Sequence, residues 1–276
     1  MNARSIVFDL FGDYIRYTGG SIGLAPLCEL LAPFGISPEA ARTVMTRLRS
    51  EGWFESSKHG RTVTYGLTPM GFSMLDEGRD RIFSRDDSPW DGQWHVVVYQ
   101  VPEQQRKARE VLRKRLASLG YGSLAPATWI SARNHSEHVT AIADDLIAIQ
   151  PGLQITQIVA HTAGRSSDSE LAHRCWQLDE LNRQYKQWLT EWAPTLKRIQ
   201  AGKLSGSEAL VTRVRLVRSF RGFPFSDPEL PSDLLPKPWR GTDAYLAFMQ
   251  AHKTLEPEAD AWFRSVLWRP AESRSV

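Results

Sequence analysis

Within the stretch SPEAARTVMTRLRSEGW, Ser37 to Trp53, six side chains have the chemistry to grip a polyanion. Wound at helical spacing, Ala41, Val44, Met45 and Leu48 form an apolar stripe, and Arg42, Thr43, Thr46, Arg47, Arg49 and Ser50 lie opposite it. An arginine guanidinium can give two parallel hydrogen bonds to guanine O6 and N7, or bind a phosphate. Thr and Ser hydroxyls reach phosphates, and the Thr methyl group suits thymine. No carboxylate, which a nucleic-acid backbone would repel, stands between Arg42 and Ser50. The plain alternative is a solvated helix that lacks acids. A second basic point follows in SSKHGRT, where Lys58, Gly60 and Arg61 would sit at a turn, suited to phosphate or minor-groove contact.

Other clusters carry less. Arg106, Lys107, Arg109, Arg113, Lys114 and Arg115 crowd one amphipathic helix beside a single acid, Glu110. They suit a polyanion, or a solvated face paired with neighbouring acids. His135, His138, His161 and His173 lack carboxylate or thiolate partners at ligand spacing, so no metal site is assigned. The chain has no P-loop, HExxH or post-strand GxGxxG motif. No catalytic residue and no cofactor is assigned either, and the chain is not expected to be an enzyme.

The elements that must position these residues follow from local signals. SIVFDLFGDYIRY has Ile6, Val7, Leu10, Phe11 and Tyr14 at helical period and is broken by Gly19-Gly20. LAPLCELLAPFG repeats the pattern through Leu24, Leu27, Leu30, Leu31 and Phe34. Ser37 as N-cap, Pro38 in the first turn and Gly52 as stop bracket the third helix. Two short strands around His59-Gly60 come next, the second alternating at Val63, Tyr65 and Leu67, and Thr68-Pro69 opens a fourth helix. Helix, helix, helix, hairpin, helix is the order of a winged helix-turn-helix domain, expected over residues 1–86.

Beyond the polar linker SRDDSPWDGQW, a β-α-β-α-β series suggests a ferredoxin-like α+β domain over 87–165, with one further strand hidden within 121–133. Its basic helix should turn Ala108, Val111, Leu112, Leu116 and Leu119 inward. A mainly helical domain over 166–276 would begin with one helix from Glu170 to Ile199. A second helix carries Leu210, Val214, Val217 and Phe220, and two helical stretches follow a Pro-rich connection. The fold class expected is therefore α+β.

Composition fits this reading. The 276 residues are 42% hydrophobic and 24% charged, with a net charge of +3, which excludes a uniformly basic polyelectrolyte. Cys28 and Cys175 form no ligand motif, and Asp9 and Asp13 interrupt the apolar N-terminus, so neither a disulfide scaffold nor a signal peptide is expected. No apolar run approaches the roughly 18 residues of a membrane span. A cytoplasmic protein is expected.

The chain also resembles a known family, the phenylacetic acid degradation regulators, or PaaX-type transcriptional repressors. The likeness lies in FGDYIRYTGGSIGLAPLCELLAPFGISPEAARTVMTRLRSEGWFESSKHGRTVTYGLTPMG, in WDGQWHVVVYQVPEQQRKAREVLRKRLASLGYGSLAPATWIS, and in CWQLDELNRQYKQWL with FPFSDPELPSDLLPKPW. It implies a cytoplasmic homodimer that binds palindromic operator DNA, represses a phenylacetic acid catabolic operon, and is released by an aryl-CoA thioester such as phenylacetyl-CoA. It carries DNA contact over to Arg42, Thr43, Thr46 and Arg47, with Lys58, Gly60 and Arg61 in the wing. An anionic CoA wants cations and an aryl group wants aromatic surface. Arg174, Trp176, Arg183 and Tyr185 are therefore the candidate effector residues, with core packing the alternative for Trp176. The middle segment also looks like the nuclease-like fold of a CRISPR adaptation protein, which keeps a metal-dependent nuclease open as the rival. Such nucleases end the first strand with a metal-binding Asp, and here VVVYQVP has Gln100.

Overall fold

The computed structural model describes residues 2–60, 62–149 and 152–269. Helices and two antiparallel sheets make it an α+β protein. The chain separates into two compact units, one built from residues 1–84, 188–221 and 244–276, the other from 85–187 and 222–243. Residues 166–276 are thus distributed over both units.

The first unit opens with α1 (Ala3–Asp13), β1 (Ser21–Gly23), α2 (Leu24–Leu31) and α3 (Pro38–Ser50). The hairpin strands β2 (Phe54–His59) and β3 (Thr62–Leu67) follow, and then α4 (Pro69–Phe83). All five apolar residues of the first stripe are buried, and Gly19 and Gly20 both take positive φ where α1's extension ends. Asn2 and Thr68 cap α1 and α4 with their side chains. The sheet runs β1-β3-β2, with Ser21 opposite Gly66 and Phe54 opposite Leu67. β1 was not expected. A three-residue strand holding one buried residue, Ile22, is too short to show an alternation.

The unit is completed by α9 (Gly206–Phe220), α10 (Gly241–Leu267) from Ala244 onward, and the later part of α8 (Leu178–Gln200). Leu210, Val214, Val217 and Phe220 are buried as expected. The Phe220 and Phe248 rings stack with centroids 4.3 Å apart, and Phe263 meets Tyr14 at 5.0 Å. Asp9 on α1 is 8% exposed. Arg221 reaches it with Nη1 at 2.7 Å and donates Nη2 to the Ser5 hydroxyl at 2.7 Å, while Arg218 lies 3.8 Å away. The two stretches expected after the Pro-rich connection form one helix, α10, that continues through Pro257. Pro257 and Lys253, whose carbonyl loses its helical donor, are both exposed residues.

The second unit holds β4 (Trp94–Gln100), α5 (Arg106–Ser118), β5 (Gly122–Ala125), β6 (Thr128–Ser131), α6 (Ser136–Ile149), β7 (Gln154–Ala160) and α7 (Asp168–Cys175). Its sheet order is β5-β6-β4-β7, antiparallel throughout. The strand hidden in 121–133 is β5 paired with β6 around a bulge and a left-handed Ala127. Leu112 and Leu116 pack with Tyr99, Tyr121 and Trp129, but Val111 is 41% exposed, so the buried stripe of α5 is narrower than its periodicity suggests. Three cations of that helix are paired: Arg109 with Glu103, Arg113 with Glu110, and Arg115 with Asp145.

The helix expected from Glu170 to Ile199 is broken. Ser167 starts α7 with a capping box, and Trp176 then turns extended before α8 begins. The break seats the Trp176 indole against Gly122 and lets its N–H donate to the Gly120 carbonyl at 3.2 Å. A Cβ on Gly122 would lie 2.5 Å from Trp176 Cε2 and 2.9 Å from Cys175 Cβ. Gly122→Ala is therefore expected to destabilise the unit by about 1–3 kcal/mol, seen as a lower urea midpoint at unchanged slope. An unchanged midpoint would show that the indole yields freely.

Candidate nucleic-acid interface

The α3 surface follows from how the helix is anchored. Ser37 Oγ accepts from Ala40 N at 3.3 Å, Pro38 occupies the first turn, and Gly52 at φ +82° ends the run beyond Glu51. Ala41, Met45 and Leu48 are fully buried. Val44 is only half-buried, so the stripe that holds the helix has three residues rather than four. The opposite face is as expected in exposure, because Arg42, Thr43, Thr46, Arg47, Arg49 and Ser50 all reach solvent.

Several of these side chains are held. The Thr43 hydroxyl donates to the Glu39 carbonyl at 2.9 Å, and Arg42 lies 3.8 Å from the Glu39 carboxylate. Arg49 Nη1 donates to Ser56 Oγ on β2 at 3.0 Å, linking the helix to the hairpin. Arg47 Nε donates to Glu51 Oε1 at 2.9 Å, and Arg4 of α1 holds the other oxygen of the same carboxylate. The hydrogen bond from Arg4, then that from Arg47, keeps the Glu51 carboxyl below the usual carboxylate range. No such hold was expected. The Arg47–Glu51 spacing of four residues was readable as a helical pair, but nothing local points from Arg4 to Glu51.

Lys58 and Gly60 are exposed at the hairpin end, where Gly60 takes φ +60° for the turn. Arg61 lies outside the described residues. The first unit thus brings eight of the nine expected contact residues to its surface, on one helix and the hairpin tied to it by Arg49. Guanidinium and ammonium donors with interspersed hydroxyls can engage phosphates and base edges.

The four effector candidates lie in the second unit. Arg174 and Arg183 are exposed, the latter paired with Glu180. Tyr185 is buried, stacks on Phe223 at 4.2 Å and donates its hydroxyl to Asp227 at 2.8 Å. Trp176 is the half-buried indole packed on Gly122, with its N–H bonded to the Gly120 carbonyl. Both aromatics are therefore packing elements with occupied polar atoms. His135 and His138 adjoin, with ring centroids 6.2 Å apart, while His161 and His173 bond the nearby carbonyls of Gly92 and Ser169. Burial, and then the neighbouring His138 and His95, push the His135 imidazole below its ordinary value. Among the described residues no three His, Cys, Asp or Glu side chains gather as a metal-ligand set. No described helix is long and apolar enough to cross a membrane.

The fold is similar to that of the uncharacterized protein Rv0674 from Mycobacterium tuberculosis, with a TM-score of 0.66 at 20% identity, covering 95% of this chain and 98% of that one. At that identity the likeness speaks for the mixed helix-and-sheet fold alone. Three family models match successive stretches: "PaaX-like protein" at residues 2–71, "PaaX protein central Cas2-like domain" at 87–172, and "PaaX-like protein C-terminal domain" at 176–265. The chain belongs to the PaaX family. The Transcriptional repressor PaaX of Escherichia coli (strain K12) is 27% identical over 270 residues, which cover 95% of this chain and 83% of that protein.

Proposed function

We propose that this chain is a DNA-binding transcriptional repressor of an aromatic-acid, phenylacetate-type, catabolic operon. In this reading residues 1–86 act as a winged helix-turn-helix. α3 enters the major groove and the β2–β3 hairpin, with Lys58 and Arg61, grips the adjacent backbone. The observation that carries it is the α3 face, where three arginines and three hydroxyl residues stand exposed on a helix tied to the hairpin. The repressor relative supports the direction of regulation. Residues 87–165 serve as a ferredoxin-like module, which the antiparallel order β5-β6-β4-β7 favours. Residues 166–276 serve in effector binding and dimerisation. A C2 homodimer would match a palindromic operator, and an aryl-CoA such as phenylacetyl-CoA would release it by binding the DNA-incompetent state better. Arg174 and Arg183 are the exposed cations offered to the CoA anion. A cytoplasmic, non-enzymatic regulator follows from the same reading. The rival nuclease reading lacks its carboxylate, since Gln100 ends β4.

Anisotropy titrations with operator DNA test this. Arg47→Ala should weaken specific binding by about 1–3 kcal/mol, and Lys58→Ala should weaken all sequences alike while lowering the salt slope by about one. If Arg47→Ala leaves affinity unchanged, Arg47 is not among the base-reading residues, and an unchanged salt slope in Lys58→Ala removes Lys58 from the phosphate contacts. Phenylacetyl-CoA should release the DNA, and operator binding that persists through a panel of acyl-CoAs would remove the effector from the reading.

A further inference from the structure

The first unit contains a cavity of about 440 Å³ that the DNA reading does not use. Its wall comes from the end of α1, from α4 and α9, and from one side of α10. Three arginines, Arg79, Arg213 and Arg264, and three carboxylates, Asp13, Glu256 and Asp260, line it together, so their formal charges cancel. The deepest cation is Arg213. It is 5% exposed, its guanidinium lies over the Tyr14 ring at 5.1 Å, and Asp260 stays 3.9 Å from its Nη1. Its Nε is buried without a hydrogen-bond partner among the described residues. The same holds for Asp13 Oδ2 and His252 Nε2, which face each other at 3.9 Å, too far for a hydrogen bond.

Buried polar atoms are almost always satisfied, and an unmade hydrogen bond to a charged group costs more than a neutral one. Arg213 and Asp13 both line this cavity, and each carries a buried polar atom without a partner among the described residues; a guanidinium is a place for an anion and a carboxylate for a cation. The rest of the lining includes Phe83, Met249 and Phe263, which offer apolar and aromatic surface. The volume lies in the range of small-ligand pockets.

We propose that this cavity binds a small zwitterion with an apolar side group, the chemistry of a free aromatic or large aliphatic amino acid. The ligand's carboxylate pairs with Arg213 and its ammonium with Asp13. Its side group lies against Phe83, Met249 and Phe263. The site is independent of the DNA-contact face, so it stands or falls separately from the repressor reading.

Isothermal titration of the full chain tests it, with L-phenylalanine and L-leucine as zwitterions. Phenylacetate serves as the anion alone, phenethylamine as the cation alone, and phenylacetyl-CoA as the ester. A zwitterion should give saturable heat, and each single-charge probe should bind roughly tenfold more weakly or worse. Asp13→Asn should weaken the zwitterion roughly tenfold while leaving phenylacetate unaffected. Met249→Trp, which fills the cavity without touching a charge, should abolish the heat while retaining the far-UV spectrum and thermal midpoint of the unaltered protein. No saturable heat from either zwitterion up to about 10 mM overturns the proposal. So does equal or tighter binding of phenylacetate or phenethylamine, heat given by the CoA ester alone, or zwitterion binding that survives Met249→Trp.

Discussion

Arg221→Met is expected to lower the unfolding free energy by about 1–2 kcal/mol at neutral pH. Asp9 is buried on α1, and Arg221 on the chain just past α9 supplies its closest cation. Removing that cation leaves the buried Asp9 carboxyl beside Arg218, 3.8 Å away, and drives it toward its neutral form. Loss of one member of a buried pair costs about 3–5 kcal/mol where the other must stay charged, but Arg221 is 36% exposed and partly screened and the Asp9 carboxyl can take up a proton, so the loss is smaller and consists mainly of the hydrogen bonds to Asp9 and Ser5. Burial already pushes the Asp9 carboxyl up to about 7 against the pull of Arg221 and Arg218. A carboxyl raised in the folded state binds more protons there than in the unfolded chain. Its contribution is fully present below the unfolded value near 4 and is lost as pH rises toward 7. Without Arg221 the carboxyl rises further, so the deficit should be larger at pH 7.5 than at pH 5. Urea titrations at the two pH values measure this. The double variant Asp9→Leu, Arg221→Met should recover much of the loss, because an apolar pair leaves no orphan charge. A deficit independent of pH would mean that Asp9 is not the group left uncompensated.

In the second unit, Trp94→Ala should cost about 3–5 kcal/mol. Trp94 is 2% exposed between Trp90, at 5.2 Å, and Trp176, at 6.2 Å. Its indole N–H donates to Asp168 at 2.8 Å and to Thr162 at 3.0 Å. Trp94→Phe keeps much of the packing but withdraws that donor, for a smaller loss of about 1–3 kcal/mol. The ranking Ala, then Phe, then the unaltered protein in chemical unfolding checks both contributions. Equal losses for Ala and Phe would assign the whole effect to the hydrogen bonds.

What could be read beforehand was what neighbours in sequence decide. Ser37, Pro38 and Gly52 fix α3 through caps that act within one turn, and Tyr65 and Leu67 fix the buried face of β3 by alternation. The helix that breaks at Trp176 shows the limit. Its residues favour continuation, and the opposing contact comes from Gly122, far back in the chain. Val44 and Val111 show another. Periodicity names a stripe, but how much of it is covered depends on partners that periodicity does not name. At the candidate interface the exposed Arg and Thr face was legible because it needs only the helix. The clamp on Glu51 was half legible, through Arg47 four residues earlier, and otherwise hidden in Arg4. The cavity was invisible, since the residues that line it come together only through tertiary packing.

The first unit draws on both ends of the chain, and this has a consequence in time. Asp9 leaves the ribosome 212 residues ahead of Arg221. At about 5–20 residues per second that is roughly 10–40 seconds of waiting, and longer for Phe263 of α10, which meets Tyr14. For that interval the nascent N-terminal helices lack the counterpart of their buried acid. A premature stop anywhere before α10 therefore yields a product whose first unit lacks the buried Phe248 and Phe263.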